Sequence, residues 1–198
     1  MAINLAKGQK INLQKTSPVG LGEILINLNW NSQPVYYNGY GGASGIDLDL
    51  GCMYELADGR KGVVQALGNA FGSLTAPPYI SLDGDDRTGA SMGGENLRIN
   101  GNMVSQIRRI LVYTFIYEGV ANWQQANATV TIRYPGAQDI IIRMDTFNSA
   151  QKMCGLALLT NVNNDTFSVE KIVQFYLSHQ ALDQAFGWNM QWVVGTKD

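Results

Sequence analysis

A chain of 198 residues with 45% apolar residues is long enough to bury a sizeable core, and its length fits one domain spanning residues 1–198. A net charge of −2 gives no electrostatic reason to expect nucleic acid as a partner. Only 15% of the residues are charged, 22 are glycine, and apolar residues come in short runs instead of long helical stripes, a profile of strands and turns. No apolar stretch reaches the 18 residues a membrane helix needs, and residues 1–7 lack a basic segment followed by an apolar run, so a cytoplasmic protein is expected. Cys52 and Cys154 lie in apolar segments far apart in sequence, which favours two buried thiols over a disulfide.

In chain order, Ile11 and Leu13 alternate with polar residues as a first short strand. Ile24, Ile26, Leu28 and Trp30 line one face of a second, with Glu23, Asn27 and Asn29 on its wet side. Residues 31–44 form a loop rich in Gly, Tyr and Asn. Residues 46–56 predict a strand carrying Asp47 and Asp49, turned by Asp58-Gly59 into a strand over 61–67. Short strands follow at 79–81 and 97–101. Residues 108–117 are nearly all apolar, as in a strand covered on both faces. A hairpin around Pro135-Gly136 joins residues 130–134 to 140–144, and strands are predicted at 154–161 and 172–177. Residues 180–186 predict one short helix, with Ser178 as N-cap and Gly187 as its stop, before a last strand through Met190, Trp192 and Val194. About ten strands punctuated by glycine turns argue for an all-β, two-sheet β-sandwich with one short helix near the C-terminus.

Residues 82–96, with Asp47 and Asp49 upstream, concentrate six of the sixteen carboxylates. At an effective dielectric near 20, two unit charges about 4 Å apart repel by roughly 4 kcal/mol, so carboxylates gathered in space require a cation, protons or distance. A hard divalent cation such as calcium takes six to eight oxygens in flexible geometry. Asp83, Asp85, Asp86, Glu95 and Asn96 supply side-chain oxygens, and Gly84, Gly89, Gly93 and Gly94 let the backbone turn. Asp47 and Asp49, two apart on a strand, would present carboxylates on one face to complete the site. The spacing is not that of an EF-hand, whose sixth and twelfth positions would fall on Thr88 and Gly94. The same residues also suit a solvated acidic turn, since Asp and Gly dominate turns.

Parts for catalysis are missing. His179 is the single histidine, and neither a G-x-S-x-G elbow nor a Walker A loop occurs. The sequence therefore supports no enzyme, and a metal-dependent hydrolase would rest on the acidic residues alone. A second reading is a small-ligand-binding β-sandwich that uses Tyr36, Tyr37 and Tyr40 of the Gly/Tyr loop, with metal structural or absent.

Taken together, Leu5-Ala6-Lys7-Gly8, Leu28-Asn29-Trp30, Asp47-Leu48-Asp49, the loop from Gly84-Asp85-Asp86 through Thr88-Gly89 to Gly93-Gly94-Glu95, and Gly187-Trp188-Asn189-Met190-Gln191-Trp192 resemble the TerD-domain family, closest to its TerA-like branch. The resemblance spans nearly the whole chain. It implies a calcium-binding, non-enzymatic β-sandwich of bacterial tellurite resistance and general stress response, a binding or scaffolding module for other proteins of a stress-response complex, free or membrane-associated. By position, Asp47 and Asp49 match the family's D-x-D strand end, Asp85 and Asp86 its Gly-Asp-Asn step, and Glu95 and Asn96 its closing acids. The chain departs at Ala90, Ser91, Met92 and Gly94, where the family pattern carries further acids, and fewer anionic ligands imply weaker binding.

Overall fold

The computed structural model describes residues 2–18, 20–31, 46–84, 93–118, 123–145, 147 and 150–195. The strands in chain order are β1 (Ile3–Asn4), β2 (Lys10–Asn12), β3 (Glu23–Asn29), β4 (Asp47–Leu56), β5 (Lys61–Val64), β6 (Gly72–Ser73), β7 (Ile80–Leu82), β8 (Glu95–Asn100), β9 (Ile107–Glu118), β10 (Thr129–Arg133), β11 (Ile140–Arg143), β12 (Met153–Val162) and β13 (Thr166–Tyr176). Two short helices, α1 (Trp123–Ala126) and α2 (His179–Phe186), and two 3-10 segments complete the described elements. Seven strands form one sheet in the order β1-β11-β10-β3-β8-β7-β6, and six form the other in the order β2-β13-β12-β9-β4-β5. The molecule is a two-sheet β-sandwich.

Period-two alternation explains the seven-stranded sheet. Ile24, Ile26 and Leu28 of β3 are fully buried while Glu23 and Asn29 are exposed, and Leu97 and Ile99 of β8 bury the same side. These side chains meet Leu48, Leu50, Cys52, Val112, Leu156 and Val169 of the opposite sheet in the main core.

The six-stranded sheet is buried on both faces. In the pairing of β4 with β9, Leu48, Leu50 and Cys52 stand opposite Ile116, Thr114 and Val112 on the inner face; Asp49, Gly51 and Met53 stand opposite Phe115, Tyr113 and Leu111 on the outer one. A second apolar cluster of Met53, Leu111, Tyr113, Phe115, Met153, Tyr176, Leu182 and Trp188 covers that outer face. Gly51 belongs there because the Tyr113 ring lies over it; a β-carbon would come within 2.7 Å of the ring.

The outer cluster is held down from the C-terminus. Ser178 caps α2 by accepting a hydrogen bond from the Ala181 amide, and Gly187 ends the helix in the left-handed conformation. The Arg109 guanidinium lies 3.7 Å from the centroid of the Trp188 ring, bonds Glu55 at 2.6 Å, and donates to the carbonyls of Phe186 and Gly187 at 2.8 and 3.2 Å. A cation at the end of a helix also meets the favourable end of its dipole. Past the helix, the predicted strand through Met190, Trp192 and Val194 does not form. Asp183, 2% exposed, accepts from the amides of Asn189 (2.7 Å) and Met190 (3.0 Å) and from the Trp192 indole (3.0 Å). Those bonds bend the segment around one carboxylate, so it runs along the sheet without joining it. Residues 172–177 are predicted as a strand of their own; 172–176 are the second half of β13, which pairs with β12 through the turn at 163–165, and Leu177 lies past its end. The two-residue β1 and both 3-10 segments are too short to leave a periodic signal.

His179 opens α2 against this cluster, its ring 4.9 Å from Phe115, 5.4 Å from Tyr113 and 5.3 Å from Trp192 by centroids. Burial lowers its pKa to about 4.

Two outcomes follow for stability. Asp183→Ala leaves three donors without their acceptor and is expected to cost about 3 kcal/mol, a fall in Tm of roughly 6 to 12 °C for a chain of this size. His179 is the other lever. Below pH 6.5 the unfolded chain takes up a proton that the folded chain refuses until about pH 4, so this residue removes on the order of 3 kcal/mol as pH falls across that window and nothing further below it. Urea melts at pH 7.5, 5.5 and 4.5 are expected to show His179→Phe losing less stability with acid than the wild type; parallel losses would contradict the burial of a neutral imidazole.

Candidate functional site

The start of β4 lies at one end of the sandwich, where its ladder is incomplete. β5 pairs with Cys52 to Glu55 and goes no further, so, among the described residues, 47–50 form the outer edge of their sheet. Two contacts finish that edge. The Trp30 indole donates to the Ile46 carbonyl at 2.9 Å, and the Glu95 carboxylate of the opposite sheet accepts from the Leu50 amide at 2.6 Å. Asp47 (6% exposed), Asp49 (0%) and Glu95 (2%) are therefore three buried carboxylates at the same end of the molecule.

The acidic loop leaves from the neighbouring hairpin of β7 and β8. Its ends are fastened: the Asp83 amide donates to the Asn96 carbonyl at 3.0 Å, and the Asn27 side-chain amide donates to the Gly93 carbonyl and, at 2.9 Å, to Asn96 Oδ1. Gly94 has φ +63°, and a β-carbon there would sit 2.0 Å from the Leu28 carbonyl oxygen, so the chain passes too close to β3 for any side chain.

Strand alternation separates the residues at the loop's base. Glu95 points inward to β4, whereas Asn96 lies on the outer face of the seven-stranded sheet with Arg98 and Asp83. Arg98 holds Asp83 through two parallel bonds, Nε and Nη2 each 2.6 Å from a carboxylate oxygen, and gives Nη1 to Glu23 at 2.5 Å. This bidentate pairing commits both Asp83 oxygens to a guanidinium and raises the Arg98 pKa, chiefly through the Asp83 hydrogen bond. Of the seven residues expected to bind metal, Asp47, Asp49 and Glu95 share the buried end, Asp83 and Asn96 share the outer face, and Asp85 and Asp86 lie outside the described residues, as do Tyr36, Tyr37 and Tyr40. Among the described residues, no group of three or more His, Cys, Asp or Glu side chains is placed to hold a metal ion by itself. Donors at the buried end are all oxygen and anionic, a set that suits a hard cation and not a soft one. Sequence reasoning missed the Arg98 clamp, whose only signal is the register that sets Ser81, two residues before Asp83, opposite Arg98.

Both cysteines are free and buried, and burial pushes both thiols well above their usual range.

A two-sheet sandwich with buried carboxylates beside a glycine-rich acidic loop defines the class. The TerD domain model matches residues 1–156, and the chain belongs to that family. It is 41% identical over 199 residues to tellurium resistance protein TerA of an Alcaligenes species, covering 95% of this chain and 58% of that protein, so it spans a little under three-fifths of the relative's length. It is 31% identical over 157 residues to general stress protein 16U of Bacillus subtilis (strain 168), covering 73% of this chain and 75% of that one. Two crystal structures share the fold. One, described as a protein of unknown function, matches with a TM-score of 0.60 at 17% identity over 83% of this chain and 95% of its own. The other, a homologue of telluride resistance protein TerD from Streptomyces coelicolor A3(2), matches with a TM-score of 0.54 at 19% identity over the same shares.

Gly94→Ala tests the close approach that anchors the loop. It combines a strained φ with a backbone clash and is expected to destabilise the chain by about 2 to 4 kcal/mol. A urea midpoint within error of the wild type would show that the loop's base is not seated against Leu28.

Proposed function

We propose that this chain is a calcium-binding, non-enzymatic component of tellurite resistance and general stress response, acting in the cytoplasm as a binding or scaffolding module for other proteins of a stress-response complex. The observation that carries the calcium reading is the burial of Asp47, Asp49 and Glu95 at the end of the sandwich where the Gly-Asp loop is fastened. Three carboxylates withdrawn from water at one end of the sandwich are an anionic, all-oxygen donor set of the kind a hard cation takes. Calcium would be held by these three together with oxygens of the loop between Asp83 and Asn96. Bound there, the ion would tie the loop of one sheet to the edge of the other and fix a surface for a partner.

Family membership and the names of the relatives support the stress and tellurite role. A binding role in place of direct tellurite chemistry is supported by the thiols: reduction of an oxyanion needs an accessible thiolate, and Cys52 and Cys154 are buried with their pKa values pushed up. Among the described residues, no helix is long and apolar enough to cross a membrane.

Calcium titration of EDTA-stripped protein, followed by thermal melting with magnesium as control, tests the reading. At calcium 100-fold above Kd, about 2.7 kcal/mol of stabilisation is expected, a rise of roughly 5 to 10 °C. Glu95→Gln is expected to abolish the rise. Asp83→Asn is expected to keep most of it, because that carboxylate already serves Arg98. No calcium-selective rise in the wild type at millimolar calcium would refute the calcium reading.

A further inference from the structure

We propose that the hollow between β5 and the C-terminal segment is a binding site for an uncharged, flat, partly apolar small molecule. The hollow, of about 790 Å³, falls in the range of natural small-molecule sites. It lies on the outer side of the six-stranded sheet, bordered by β5 and the turn after it on one side and by residues 189–195 on the other. The segment touches down at both ends. Near one, Lys61 Nζ donates to the Trp188 carbonyl at 2.8 Å; near the other, the backbone of Gly195 comes up to Leu67 and Gly68. Between them it stands away from β5, leaving the space.

The chemistry of the lining selects the guest. Val63, Leu67, Met190 and the rings of Trp192 and His179 supply apolar and aromatic surface, and the polar groups are amides and a hydroxyl, with no carboxylate among the described lining residues. Among the described lining residues Lys61 is the one cationic side chain, and the Trp188 carbonyl engages it. Burial keeps the imidazole of His179 neutral at physiological pH. A charged guest would find no counter-charge that is not already engaged, whereas an aromatic one would find a stacking wall. Gln65 is oriented by the Tyr113 hydroxyl, which donates to its Oε1 at 2.6 Å; the amide nitrogen, with only a 3.4 Å contact to the Leu67 carbonyl, has a second N–H to give to an acceptor.

The wall is built, not left over. Asp183 and Arg109 devote six hydrogen bonds and a ring contact to fixing residues 186–192 and Glu55. Burying a carboxylate such as Asp183 adds little to stability compared with an apolar residue of similar size, but it does fix one geometry. The site-forming residues 178–195 lie beyond the family match, which ends at residue 156, and within a chain that aligns with the TerA relative over 95% of its length. The inference is independent of calcium.

The test uses the full chain in EDTA with Nile red, a neutral, flat dye, as probe. Saturable one-site binding with a blue-shifted emission is expected, together with at least ten-fold weaker binding of the anionic dye anilinonaphthalene sulfonate. Val63→Trp and Ala70→Phe each fill the hollow from the β5 side; whichever keeps the wild-type melt is expected to lose at least ten-fold in Nile red affinity. Absence of saturable binding, or unchanged affinity in a well-folded filled variant, would overturn the site, and equal affinity for the anionic dye would overturn the uncharged class.

Discussion

The outer face of the six-stranded sheet is apolar, and much of the molecule exists to cover it. β4, β9 and β12 carry large side chains on both sides, so a sandwich partner on one face leaves Met53, Leu111, Tyr113, Phe115 and Met153 facing outward. Left in water, each such side chain would cost about 1.5 to 3 kcal/mol relative to burial. An eight-residue helix cannot cover that area alone, so the chain beyond it must be laid over the sheet as well. Arg109 and Asp183 make that possible: one stacks on Trp188 and neutralises the carbonyls ending α2, the other gathers the donors of the segment that follows. The helix, its stop and the extended tail are one device imposed by a two-faced sheet.

A second constraint acts at the other end of β4. A ten-residue strand paired along one side by a four-residue neighbour has, among the described residues, an unfinished edge. Exposed edges invite unwanted pairing, and here the edge is closed by side chains from the opposite sheet. Trp30 and Glu95 bond the backbone of Ile46 and Leu50, and the second of these brings a carboxylate to the strand that already carries Asp47 and Asp49. Closure of the edge and concentration of charge are thus the same structural event. The described ends of the acidic loop, at Asp83 and Gly93, lie on the hairpin that supplies Glu95.

What the sequence revealed depended on whether the governing interaction was local. Alternation in residues 24–30 and the two-sided apolar run at 108–117 mark β3 and β9 because burial repeats every second residue or not at all. Ser178 and Gly187 mark α2 because caps act within one turn. The strand expected through Met190, Trp192 and Val194 had the right alternation, yet Val193 and Val194 are 89% and 96% exposed and the segment turns around Asp183. Nothing in a periodic pattern announces a carboxylate seven residues upstream. The acidic site divides in the same way. Asp47, Asp49 and Glu95 stand out in the sequence by clustering beside glycines, and all three are buried; that Asp83 serves a guanidinium fifteen residues on was not legible, because only the register of β7 on β8 brings them together.

The two ends of β4 meet in Tyr113. Its ring lies against Gly51, directly across from it in the neighbouring strand, and the place of a glycine there is set by that contact. Burial above all, with the nearby Cys52 and Asp49, raises the pKa of its phenol well above the usual value, so the hydroxyl stays a donor. It donates to Gln65 at the border of the hollow, while the ring faces His179 edge-on. Asp49 belongs to the buried acidic end, and Gln65 and His179 to the C-terminal hollow. A fully buried ring packed on Gly51, two residues from Asp49, and bonded to Gln65 cannot move without disturbing one of its neighbours. The rigidity that covers the outer face also sets the acidic end and the hollow in fixed relation to each other.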